Sequence, residues 1–195
     1  MKSFFALAQR ALLCATLLVP LLPLAARAAP LSYFVPFSGQ GNVSVFDATA
    51  GTGGWVGSID EVAAPGQLNP LSLVSVVLFT IDRTAHTLTG SFDFTTTDLL
   101  STLSGALTGT FADADILTLG GQFSVDYDIR SGTGRFEGAS GFGLAFLDFN
   151  PGAAPDNYQE SGLLAFTVPV PATLALALTG LLALGFSRRQ ARPLN

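Results

Sequence analysis

Through the middle of the chain, apolar and polar residues alternate with a period of two, the mark of strands with one buried and one solvated face. Leu88, Gly90, Phe92 and Phe94 share one face, against Thr87, Thr89, Ser91, Asp93 and Thr95 on the other. Leu103, Gly105, Leu107, Gly109 and Phe111 repeat the pattern, and so do Phe123, Val125, Tyr127 and Ile129 against Ser124, Asp126, Asp128 and Arg130. The same phase carried from Phe136 through Gly138 and Ser140 predicts another strand, with Phe142, Leu144 and Phe146 inward. Earlier in the chain, Val43 and Val45 alternate with Asn42 and Ser44, and Trp55, Gly57 and Ile59 line a face. The stretch Val74 to Ile81 is apolar on both faces and predicts a central strand, while Leu163 to Val168 predicts the last one.

Turn signals separate these runs: residues 37–42, 64–66, 131–134 and 150–155 are rich in Gly, Pro, Ser and Asn. Away from the two ends, no run of ten or more residues has a helical period. About eight or nine strands on short links predict an all-β domain over residues 29–167, a single antiparallel β-barrel or β-sandwich. Two stretches echo one another: residues 51–57 and 132–138 both read Gly-Thr-Gly-x-aromatic-x-Gly, which predicts a turn feeding a strand whose inward ring sits beside a glycine. The second copy, continued through Ala139-Ser140-Gly141, resembles a segment of small eight-stranded barrels related to allene oxide cyclase and dirigent proteins. That resemblance favours barrel over sandwich and carries no site residue with it.

The ends have a different character. Residues 1–28 read as a secretory signal peptide. Lys2 and Arg10 supply a basic start, residues 11–24 are almost wholly apolar, and Ala26 and Ala28 put small residues at −3 and −1 of a cleavage point after Ala28. The C-terminal segment, 168–195, opens with Val168-Pro169-Val170-Pro171-Ala172-Thr173, continues as an apolar run to Phe186 and closes on Arg188 and Arg189. Residues 172–186 predict a transmembrane helix of roughly 22 Å, short for a hydrocarbon core of about 30 Å unless the span is counted from Val168. The arginines at 188–195 then hold the C-terminus on the cytoplasmic side. The Pro-x-Pro-Ala-Thr motif, the Leu/Ala/Gly-rich span with Gly180 and Gly185, and the terminal arginine pair resemble the PEP-CTERM sorting signal of Gram-negative bacteria. The resemblance covers about 28 residues and departs from the usual pattern at Val170, where the family carries Glu. It implies export by the Sec machinery, passage through or anchorage in the membrane, and processing by an exosortase in bacteria that make extracellular polysaccharide.

Charge follows the same division. All 14 acidic residues lie between Asp47 and Glu160, where three arginines and no lysine leave that span at −11. Such a span repels phosphate backbones and argues against nucleic-acid binding. Cys14, the one cysteine, lies within the predicted signal peptide, so the processed protein would have no disulfide and no thiolate metal site. His86 is the one histidine and falls in a predicted turn; no Gly-x-Ser-x-Gly elbow or phosphate-binding glycine loop is present. Acidic pairs are what remains. Asp113 and Asp115 fall in a predicted turn, and Asp126 and Asp128 share the polar face of a strand. Oxygen ligands of this kind suit calcium, and paired carboxylates suit glycoside hydrolysis, but solvated strand faces carry Asp for solubility alone.

The reading that follows is a non-enzymatic exported protein of the cell envelope or extracellular matrix, associated with exopolysaccharide or biofilm, without a cofactor. It is sorted through its tail and ends at the cell surface or in the matrix. The alternative is a membrane-anchored barrel that binds a small apolar ligand.

Overall fold

The computed structural model describes residues 30–63 and 70–169. These fold into a closed barrel of eight antiparallel strands in chain order: β1 (Leu31–Asp47), β2 (Thr52–Glu61), β3 (Ser72–Asp82), β4 (Thr87–Thr96), β5 (Thr102–Phe111), β6 (Gly121–Gly132), β7 (Ser140–Phe149) and β8 (Tyr158–Val168). One short helix, α1 (Ile116–Leu119), links β5 to β6, and a 3₁₀ turn, Gly134–Phe136, links β6 to β7. Each strand pairs with its sequence neighbour, as short links require, and closure of β8 on β1 leaves no open edge. The choice left open between barrel and sandwich resolves as a barrel.

The period-two faces of β4, β5 and β6 point as the pattern predicts. Leu88, Phe92, Phe94, Leu103, Leu107, Phe111, Phe123, Val125, Tyr127 and Ile129 are all buried. The rings meet inside the bore: Phe92 lies 4.6 Å from Phe94, and Tyr127 meets both edge-on at 5.0 and 5.1 Å. Burying each such side chain is worth roughly 1.5–3 kcal/mol, so the barrel is stabilised by ring packing.

β7 is built in the opposite phase to the expectation. Phe142, Leu144 and Phe146 face outward and are exposed, while Ala145, Leu147 and Phe149 fill the bore. Phe136 does not belong to the strand. It is buried from the 3₁₀ turn, and Gly138 at φ +72° breaks the phase before β7 begins. Both phases of β7 are apolar, so the charge on Asp148 marks the outward side where apolar content does not.

The stretch 37–42, expected as a turn, is the middle of β1. Its glycines serve close packing: a Cβ on Gly41 would run into the Val56 carbonyl and the Gly57 backbone. β3 is apolar on both faces for a different reason than central position. Val77 and Phe79 are buried, whereas Val74, Val76 and Leu78 lie on the outer wall with Val56 and Phe46. Val45, expected inward, is partly exposed where the β1–β2 register shifts between Val45 and Asp47. β8 starts at Tyr158, five residues before the predicted strand.

The link after β6 and the loop between β7 and β8 fall at Gly- and Pro-rich stretches, and the turn after β3 falls at 83–86, where a turn is expected around His86. Residues 64–69, the predicted signal peptide with Ala26 and Ala28, and the tail from Val170 onward lie outside the described residues. Among the described residues, no helix is long and apolar enough to cross a membrane.

Candidate functional site: a polar cluster in the bore

The alternation of β8 places Tyr158, Glu160, Leu164, Phe166 and Val168 inward. Glu160 therefore occupies a position where the pattern calls for an apolar residue, and it is 3 % exposed. β3 does the same on a smaller scale, setting the fully buried Ser75 between Leu73 and Val77. The side chains of β2 complete the cluster. Trp55, the chain's single tryptophan, is buried 5.5 Å from Phe79 and 6.4 Å from Tyr158, measured between ring centres.

Glycines bring these groups together. The Tyr158 ring crosses β1 at Gly41, and its hydroxyl lies against Gly57 on β2, where any Cβ would strike it. Gly57 pairs in register with Ser75. A Cβ on Gly39 would stand 3.6 Å from the Glu160 Cβ. The hydroxyls of Tyr158 and Ser75 therefore flank Gly57, with Trp55 one inward step away along β2 and Glu160 one inward step away along β8.

The hydrogen bonding of the cluster is incomplete. Tyr127 donates its phenolic proton to Glu160 Oε1 at 2.5 Å. Among the described residues, Glu160 Oε2, Tyr158 Oη, Ser75 Oγ and Trp55 Nε1 have no protein partner. Buried polar atoms left this way cost about 1–3 kcal/mol each. Burial pushes the Glu160 carboxyl up to about 7, and the Tyr127 hydrogen bond offsets part of that rise. Burial, followed by the nearby Glu160 charge, also raises the Tyr127 and Tyr158 phenols. The cluster can hold a proton near neutral pH and offers donors and acceptors on three strands.

The site residues expected from sequence lie elsewhere. Asp126 and Asp128 sit on the outer wall of β6, and Asp128 makes an exposed 2.7 Å ion pair with Arg130. Asp113 precedes α1 and accepts the Asp115 backbone N–H at 2.9 Å. Among the described residues, no group of three His, Cys, Asp or Glu side chains is placed to hold a metal. His86 ends the β3–β4 turn at φ +55°, its ring stacked 5.7 Å from Phe111. Val168 is the last residue of β8 and is buried, and Pro169 follows it. On the outside of the barrel, a groove of about 490 Å³ crosses β7, β8, β1 and β2. Ser38, Gln40, Ser58, Asp60, Gln159 and Phe146 are among its lining.

The interior cluster was legible only as a broken rule: a carboxylate and a hydroxyl at inward positions between apolar neighbours. Starting the last strand at Leu163 hides it, because Tyr158 and Glu160 then fall in a loop.

No family model matches the chain, and no curated protein is similar to it in sequence. Among solved structures, a pterocarpan synthase dirigent protein is similar at 13% identity, with a TM-score of 0.41 over 72% of this chain and 90% of that one.

Proposed function

We propose that the protein is a non-enzymatic, exported component of the cell envelope or extracellular matrix, sorted through its C-terminal segment. The observation that carries this reading is the fit between fold and signals. The compact unit spans Ser32 to Val168, which begins just after the predicted signal cleavage at Ala28 and ends on Val168, the first residue of the predicted sorting motif. Apart from Val168, which closes β8, the two address segments therefore flank the folded body in sequence. The Sec machinery exports the chain, the membrane holds it by residues 172–186, and an exosortase-type enzyme acts at the motif ahead of Arg188 and Arg189.

The outer groove supports a polysaccharide as the matrix partner. Its hydroxyl, amide and carboxylate side chains suit sugar hydroxyls, its lining contains no cation, and the exposed Phe146 ring offers a flat apolar surface to sugar C–H groups. Fractionation of cells making the full chain or a chain ending at Val168 tests the sorting. The full chain is expected in membrane and surface fractions and the shortened one free in the periplasm. Equal periplasmic solubility of the two overturns the reading. Intact mass of the surface form is expected to lack both the first 28 residues and part of the tail.

A further inference from the structure

The strand register gathers exposed apolar side chains at one end of the barrel. Ser140 pairs with Thr167, Leu103 with Gly132, Thr95 with Thr102 and Asp60 with Ser72. The end of β8, the β4–β5 turn, the β6–β7 link, the end of β2 and the start of β1 therefore share a rim. Phe34, Val62, Leu99 and Leu100 stand there, between 57 and 73 % exposed. We propose that this rim is a lipid-docking surface, which seats these four side chains at the headgroup–acyl boundary of the membrane. The inference rests on the reading of the tail as a membrane anchor.

The exit point of the chain selects lipid as the occupant. β8 ends on this rim at Val168, and Pro169, Val170 and Pro171 separate it from the predicted span that begins at Ala172. Four extended residue steps reach about 14 Å, so a chain held by that span keeps the rim close to the bilayer surface. Tethering makes the contact intramolecular, and a weak apolar contact then suffices. The β4–β5 turn holds its leucines outward. Leu99 takes φ +60°, rare for a bulky side chain. Its N–H donates to the Thr96 carbonyl at 2.8 Å, and Ser101 Oγ accepts the Arg135 N–H from the β6–β7 link at 3.0 Å. Carboxylates of this rim are engaged locally. Asp98 accepts the Leu100 N–H at 3.0 Å, Glu61 accepts the Leu71 N–H at 2.8 Å, Asp60 accepts the Ser72 hydroxyl at 2.6 Å, and Glu137 shares its link with Arg135. The opposite rim also exposes Phe46 and Leu119, but Asp47, Asp82, Asp113, Asp115 and Asp156 lie in or beside its turns against Arg83, a surface suited to water.

Site-specific labels test the docking. The chain, carrying Cys14→Ser and one new cysteine, is exported in a host without an exosortase and purified with its tail. The cysteine is Leu99→Cys, Val62→Cys or, on the opposite rim, Ala85→Cys. Each protein is labelled with an environment-sensitive fluorophore and reconstituted into phosphatidylcholine vesicles with or without lipid bearing a doxyl quencher. Flotation is compared with that of the same chain ended at Val168. Tail-dependent flotation is expected, with blue-shifted emission at positions 62 and 99 and doxyl quenching at least about twofold stronger there than at position 85. Phe34→Asp with Leu100→Asp is expected to bring quenching at position 62 down to the level at 85. Flotation that needs the tail, with all three labels equally wet, overturns the docking alone, as does quenching at 62 that is unchanged by the two charges. Flotation indifferent to the tail overturns the anchor reading and the docking with it. A blue shift without doxyl quenching marks a second copy of the protein as the occupant and overturns lipid docking.

Discussion

The Tyr127 phenol donates a 2.5 Å hydrogen bond to Oε1 of Glu160, 33 residues further along the chain. The two residues lie on β6 and β8, with β7 between them. This bond therefore passes over β7 on the inner face of the wall rather than joining neighbouring strands. It fixes the one carboxyl group buried in the described barrel and leaves that carboxyl's second oxygen unanswered.

The first prediction concerns pH. Burial raises the Glu160 carboxyl from 4.5 to about 7. The unfolded chain releases this proton near 4.5, and the folded chain keeps it until about 7. Between those values rising pH favours the unfolded state, so this contribution is fully present below 4.5 and lost as pH passes 7. The loss is about 3 kcal/mol. Glu160→Gln does not titrate, so its stability relative to the parent should rise across that window and level off above it. Urea unfolding of both proteins from pH 4.5 to 8 checks this. Parallel curves would contradict it.

The second concerns barrel closure. Asn157 precedes β8 and clasps Val43 of β1: its Oδ1 accepts the Val43 N–H at 2.6 Å, and its Nδ2 donates to the Val43 carbonyl at 3.1 Å. Asn157→Ala removes both bonds at the seam where the last strand meets the first. A loss of about 1–3 kcal/mol is expected, with faster hydrogen exchange at the Val43 amide than at Val125 in the middle of the wall. Uniform exchange changes across the barrel would count against a local clasp.

The third compares two glycines under one substitution. A Cβ on Gly57 collides with the Gln40 carbonyl and the Tyr158 hydroxyl, whereas one on Gly152 has the Asn150 side chain as its nearest neighbour at 3.7 Å. Gly57→Ala should cost about 1–3 kcal/mol or more through overpacking and shift the Trp55 emission. Gly152→Ala should stay within about 0.5 kcal/mol of the parent. Equal costs for the two would remove Gly57 as a packing position.

The fourth concerns the acidic pair on β6. Asp126 and Asp128 face solvent, and the Asp128–Arg130 ion pair is exposed on both sides. Replacing both aspartates by Ala should change stability by less than about 1 kcal/mol, and millimolar calcium should not move the melting temperature of either protein. A calcium-dependent rise lost in the double variant would restore the cation reading.

Much of the barrel was already written in the alternation. β4, β5 and β6 show one clear phase because Thr, Ser and Asp oppose Leu, Phe and Val, and burial follows from that contrast alone. The phase of β7 could not be read the same way. Its two faces are both apolar, and the 3₁₀ turn ahead of it resets a count carried over from Phe136. Glycines 39 and 41 misled for a related reason: a glycine required for close packing of two strands looks in sequence like a glycine required for a turn.

By itself the sequence determined the strand class, the three-part division of charge and the faces of the strands whose polar side is polar. These are local properties, set by period two and by residue chemistry. Closure of β8 on β1, the inverted face of β7 and the meeting of Trp55, Ser75, Tyr127, Tyr158 and Glu160 were decided by the tertiary structure. These residues are up to 105 positions apart in the chain. Their proximity depends on strand register around a closed wall, and register is a property of every pairing at once.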